Sequence, residues 1–145
     1  EGEPGHQDAL LRTEYTIQTI TDQGIEVERL ARDTANWNRA QAAARIASWL
    51  EEFGDQIEVV LSNNDDMALG AIDALKETGR PLKDWPLIVG IDATAPALEA
   101  VEAGQLYGTV FRRFWTWLWP SVTGRTPPGR WSWWTGTTSG CPTSW

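Results

Sequence analysis

Near the start of the chain, Gly2-Glu3-Pro4-Gly5-His6-Gln7-Asp8-Ala9-Leu10-Leu11-Arg12 sets a carboxylate and a guanidinium four residues apart, where a helix should begin. At that spacing Asp8 and Arg12 share one helical face, a turn apart. Arginine offers a planar fork of N–H donors, and aspartate offers two acceptor oxygens. Adjacent sugar hydroxyls need both kinds of partner, because each hydroxyl donates once and accepts twice. His6 can add a donor to a third oxygen. The plainer reading is a helix start with an acid favoured by the dipole and an i,i+4 ion pair.

Polar or aromatic groups recur past the ends of strand-like runs. Asn36-Trp37 follows Ile25-Glu26-Val27-Glu28-Arg29-Leu30. Ser62-Asn63-Asn64-Asp65 follows Ile57-Glu58-Val59-Val60-Leu61. Gly90-Ile91-Asp92-Ala93 closes Leu87-Ile88-Val89. In an open parallel α/β sheet the ligand crevice lies outside the carboxyl ends of the strands. That rule gathers His6, Asp8, Arg12, Trp37, Asn64 and Asp92 into one place. Asn64 and Asp92 also fit simple helix caps, and Asp65-Asp66 are acids suited to a helix start.

The elements that must hold these residues read as a helix over 8–22, a strand over 25–32, a helix over 37–53 and a strand over 56–61. A helix over 65–78, a strand over 87–90, a helix over 95–103 and a strand over 106–110 follow. Leu10, Leu11, Tyr15, Ile17 and Ile20 form the apolar stripe of the first helix. Ala44, Ile46, Leu50 and Phe53 form that of the second. Gly79-Arg80-Pro81 and Gly104 are stop and turn signals. The alternation predicts an α/β fold: an open parallel sheet with helices on both faces.

In order along the chain, the motifs GEPGH-x-DA-x-x-RT (residues 2–13), DTA-x-W (33–37), IEVV-x-x-NND (57–65), MA-x-GA (67–71) and Gly90-Ile91-Asp92-Ala93 resemble one family. They are similar to the C-terminal lobe of the periplasmic D-galactose/D-glucose-binding proteins, type I receptors of sugar ABC importers. The resemblance runs from Gly2 to Val110. It implies that His6, Asp8, Arg12, Asn64 and Asp92 hydrogen-bond the sugar, and that Trp37 stacks on one face of the pyranose. It implies that Glu58 supplies this lobe's one ligand to a structural calcium ion. The family's other calcium ligands lie upstream of Glu1, so none of that metal is expected in this fragment. D-galactose or D-glucose, a membrane permease and, in some bacteria, a chemotaxis receptor are the implied partners. The implied location is periplasmic or otherwise extracytoplasmic. The family's first strand would run directly into Glu1, leaving this a partial lobe without its central strand.

Composition sets outer bounds. A chain of 145 residues is one domain's worth, long enough for a core. No apolar run is long enough to span a membrane, and Glu1 is expected to stand well inside a domain, past any signal segment. Cys141 is the one cysteine and His6 the one histidine, which excludes an internal disulfide and clusters of either residue on a metal. Residues 1–110 hold 20 acidic and 8 basic residues, a net of −12, which argues against nucleic acid and anionic membranes as partners. No Ser-His-Asp order, paired carboxylates with a base, or phosphate-cradling glycine loop occurs, so the chain is not read as an enzyme.

The character changes at Phe111. Residues 111–145 contain no acid, four arginines and seven of the ten tryptophans. Trp131-Ser132-Trp133-Trp134 would suit an interfacial anchor, but a shifted reading frame accounts for the whole segment. Tryptophan has the single codon TGG. Read one base earlier, its first two bases end a codon for Leu, Val or Met, and those of threonine end one for Asp, Asn, His or Tyr. Trp115–Pro120 then reads Leu-Asp-Leu-Ala-Val-Ala, and a Gly-Glu-Asp-Pro turn and a β-type segment follow. Residues 111–145 are therefore expected to be out of frame and poorly packed. The reading is the binding component of a sugar importer, closing two lobes on its ligand. The alternatives are the effector core of a LacI-type sugar-responsive repressor, which shares the fold, and a gene fragment without function.

Overall fold

A computed structural model describes residues 1–111; the expectation for the tryptophan-rich segment lies outside them. Helix α1 (Gln7–Asp22) is followed by a segment without helix or strand, then helix α2 (Arg39–Phe53) and strand β1 (Val59–Leu61). Helix α3 (Asp65–Glu77), strand β2 (Leu87–Ile91), helix α4 (Ala95–Glu102) and strand β3 (Gly108–Val110) complete the order. The strands form one parallel sheet, β1-β2-β3, with Val60 beside Ile88 and Gly90 beside Thr109. This is the α/β class with an open parallel sheet. No helix among the described residues is long and apolar enough to cross a membrane.

The two crossovers step the same way along the sheet, so their right-handedness puts α3 and α4 on one face. There Ile88 and Val60 meet Ala68, Leu69, Ile72 and Leu75 of α3, Ala97 and Ala100 of α4, and Ile46 of α2. Leu106 is fully buried in this cluster although it lies before β3. Gly70 allows α2 and α3 to touch: a Cβ there would sit 2.2 Å from the Arg39 carbonyl oxygen. On the opposite face, the register partners Val59 and Leu87 are about half exposed.

Several sequence expectations need correcting. The run 25–32 forms no strand and joins no ladder of the described sheet. Helix α2 begins at Arg39 rather than at Trp37: Asn36 and Trp37 take positive φ (49° and 61°), and Asn38 caps the helix by accepting from the Gln41 N–H. Its inward stripe is Ala42 and Ile46, with Ala44 turned outward, because Gly70 draws α3 against Ala42. Strand β1 is shorter than predicted, since Gly54–Gln56 forms a 3-10 turn. Helix α1 buries Ala9 alone and packs extensively on no other element; Leu10, Leu11 and Tyr15 of its predicted stripe are exposed.

Candidate functional site

Of the six residues picked from the sequence, Asp8, Trp37 and Asp92 surround Arg12, while His6 and Asn64 join them through Trp37. The Arg12 side chain is 13 % exposed, and its guanidinium donates to Asp8 Oδ2 at 3.1 Å and to the Asn63 main-chain carbonyl at 2.6 Å. It also stands 3.6 Å from Asp92 Oδ1 and 5.5 Å over the Trp37 ring. Its charge therefore faces two carboxylates, a carbonyl dipole and an aromatic face, the partners that make a buried cation tolerable. Asp8 and Asp92 remain partly exposed on the solvent side of the cluster.

His6 is the N-cap of α1. Its Nδ1 accepts from the Asp8 N–H at 3.2 Å, so the Nε2 of the neutral ring carries the proton and can donate. The ring stands edge-on to Trp37, 5.3 Å between centroids. Trp37 is fixed from below by Gly2, where a Cβ would fall 2.2 Å from the indole. Asn64 caps α3 by accepting from the Met67 N–H at 3.0 Å, and its amide lies 3.5 Å from the Trp37 carbonyl. The cap reading thus describes Asn64 as placed. Asp92 is not the N-cap residue of α4, a position held by Thr94; it sits at φ 122° in the turn after β2.

Glu58 lies apart, before β1, at the opposite end of the sheet. It lines an open groove of about 510 Å³ with Leu50, Ile57, Arg80, Trp85 and Leu87. Among the described residues no group of three His, Cys, Asp or Glu could hold a metal ion. Calcium takes six to eight oxygens, of which the Glu58 carboxylate can supply at most two.

Three supporting residues escaped the sequence reading. Asn63 is buried; its Oδ1 accepts from the Gly2 N–H at 3.0 Å and its Nδ2 donates to Thr13 Oγ1 at 3.0 Å. Asp65 was read only as a helix-start acid. It is 1 % exposed and accepts from Thr109 Oγ1 at 2.5 Å and from the Thr94 N–H at 2.7 Å. Thr109 in turn accepts from the Ala93 N–H at 3.1 Å, so both residues hold the strained turn that carries Asp92. A polar run directly after an apolar strand was the available signal for Asn63 and Asp65, while Thr109 stands within β3.

A cluster of donors, acceptors and an aromatic face suits a polyhydroxylated ring, whose C–H face stacks while its hydroxyls bond. The chain is 44% identical over 111 residues to the D-galactose/methyl-galactoside binding periplasmic protein of Haemophilus influenzae, covering 76% of this chain and 32% of that protein. It is 44% identical over 112 residues to a putative rhizopine-binding protein of Rhizobium meliloti, covering 77% and 36%. Among solved structures, an ABC transporter solute binding protein of Bacillus halodurans with bound myo-inositol matches at a TM-score of 0.64 and 42% identity, covering 73% of this chain and 36% of that one. The chain thus spans about a third of the length of these relatives, which are binding proteins and not enzymes. Residues 1–117 match the periplasmic binding protein domain, and the chain belongs to that family.

Proposed function

We propose that this chain forms one wall of a sugar site in an extracytoplasmic receptor that delivers D-galactose or D-glucose to the permease of an ABC importer. The observation that carries the reading is the convergence of His6, Asp8, Arg12, Trp37, Asn64 and Asp92 about one buried guanidinium. In this reading Asp8 and Asp92 accept from ring hydroxyls, while Arg12 and the His6 Nε2 donate. Trp37 covers the apolar face of the ring. Asn64, whose Oδ1 serves the helix cap, offers its amide. The galactoside receptor among the relatives supports the choice of hexose. Closure of two lobes over the sugar is the motion such receptors use, and a chemotaxis receptor is a second partner in this reading. Glu58 gives calcium one carboxylate at most. The repressor alternative has no observation in its favour.

The test follows the imidazole NMR signal of His6, the chain's one histidine, during titration with D-galactose, D-glucose, myo-inositol and D-allose. We expect D-galactose and D-glucose to move it at lower concentration than the other two, and Asp8→Ala to abolish the response. A signal that no sugar moves, or that myo-inositol moves first, overturns the proposal.

A further inference from the structure

Helix α1 carries Asp8 and Arg12 and is capped by His6, yet it is the least embedded element of the described fold. Ala9 is its one buried residue, and no neighbouring element packs extensively against it. Polar contacts hold it in register instead, and they converge on Asn63. That side chain is 95 % buried between the end of β1 and the start of α3. Its Oδ1 accepts from the Gly2 N–H at 3.0 Å, which fixes the strand-like entry to the His6 loop. Its Nδ2 donates to Thr13 Oγ1 at 3.0 Å, one residue past Arg12 on α1. Its carbonyl accepts from Arg12 Nη1 at 2.6 Å. One residue therefore ties the N-terminal segment, the first helix and the hub guanidinium to the edge of the sheet.

We infer that Asn63 is a positioning residue: it aims the α1 side of the site (His6, Asp8, Arg12) at Trp37 and Asp92 without itself contacting sugar. The inference rests on the proposed sugar site for its significance, but its geometry is separate. An amide is suited to this place because it offers an acceptor to Gly2 and a donor to Thr13 at once. An alanine would leave the Gly2 N–H and the Thr13 hydroxyl without their partner, and only the backbone bond to Arg12 would remain. An aspartate would still accept from Gly2, and the Thr13 hydroxyl can turn round to donate to it.

The experiment needs no sugar, so failure of sugar binding cannot be mistaken for failure of this inference. The 145-residue chain is prepared as wild type, Asn63→Ala, Asn63→Asp and Thr13→Val. The His6 ring signal is recorded in each, together with amide hydrogen exchange resolved along the chain. In the wild type the Trp37 ring, 5.3 Å away, displaces the His6 resonances from their free-histidine positions. We expect Asn63→Ala to move them toward those positions and to speed exchange over residues 10–16 by about tenfold, with Ala68–Leu75 still protected. Asn63→Asp should keep the wild-type signal, and Thr13→Val should move it part of the way. An unmoved signal in Asn63→Ala, or equal loss of protection in α1 and α3, overturns the inference. If Asn63→Ala does not fold, Thr13→Val decides: an unmoved His6 signal in that variant overturns it equally.

Discussion

Asn63, Asn64 and Asp65 are consecutive, buried and committed to different partners. Asn63 faces the first helix, Asn64 caps the third, and Asp65 reaches across to the turn after β2. The division follows from where the chain turns out of β1: successive side chains point in different directions as an extended strand becomes a helix start. Asp65 is the most demanding of the three, since a buried carboxylate is tolerable only when hydrogen-bonded. Its two donors, the Thr109 hydroxyl and the Thr94 N–H, lie on both sides of the turn that holds Asp92 and Ala93 at positive φ (122° and 52°). Non-glycine residues rarely take such a conformation unless the surroundings enforce it. Asp65→Ala should therefore destabilise the domain by about 1–3 kcal/mol, because two buried donors lose their acceptor. Urea denaturation measures the loss, and exchange of the Ala93 and Thr94 amides should rise with it. A midpoint and exchange rates equal to wild type would show that the carboxylate does not hold this turn.

At the scale of elements, α2 and α3 make the most intimate pair, and two features set their approach. Gly70 lets the Arg39 carbonyl come within 2.2 Å of where a Cβ would stand. Gly70→Val should cost about 1–3 kcal/mol, because backbone rather than a flexible side chain is in the way. An unchanged thermal melt would mean the helices can separate without loss. The second feature is the bidentate pair of Arg39 with Asp73, at 2.6 and 2.8 Å. The bond to Arg39 holds the Asp73 carboxyl below its ordinary value. A lowered carboxylate stabilises the fold above the pKa of the unfolded chain, and that contribution is lost as pH falls through the carboxylate range toward the lowered value. Both side chains are more than a third exposed, so the pair contributes less than about 1 kcal/mol. The melting temperature of Asp73→Asn should thus lie slightly below wild type near neutral pH, and the gap should close below about pH 4. A gap that persists in acid would assign the effect to packing.

The sequence revealed some of this and not the rest, for physical reasons. The helical pattern over 65–78 and the strand over 87–90 were legible because core face, caps and turn signals agree there. The run 25–32 has a strand's residues, but a strand exists only when a neighbour takes its hydrogen bonds, and sequence pattern does not supply the neighbour. Trp37 was placed at a helix start because its left-handed backbone has no marker in a non-glycine residue. Asn64 and Asp92 were visible because they stand past strand ends, and Asp8 and Arg12 because their spacing sets them on one helical face. Asn63 and Thr109 were missed, since a residue that acts by holding others looks in sequence like any other polar residue.

For the molecule as a whole, the decisive quantity is how much of a ligand this chain can enclose. Tight sugar binding requires most of the ring to leave water, with nearly every hydroxyl matched. The described residues gather the Arg12 cluster at one end of a three-stranded sheet, and the chain spans about a third of the length of its relatives. Each absent hydrogen bond forfeits about 0.5–1.5 kcal/mol, and more where a charged group is left unmatched. A site of micromolar class binds with about −8 kcal/mol, and one of millimolar class with about −4. The difference corresponds to a few lost hydrogen bonds plus the loss of lobe closure, so the 145-residue chain should bind D-galactose and D-glucose no tighter than millimolar. Isothermal titration of the purified chain with each sugar, beside a thermal melt with and without it, reads this directly. Saturable micromolar binding, or a rise in melting temperature at micromolar sugar, would show that the face built by Arg12, Trp37 and Asp92 suffices alone and that the second wall adds little.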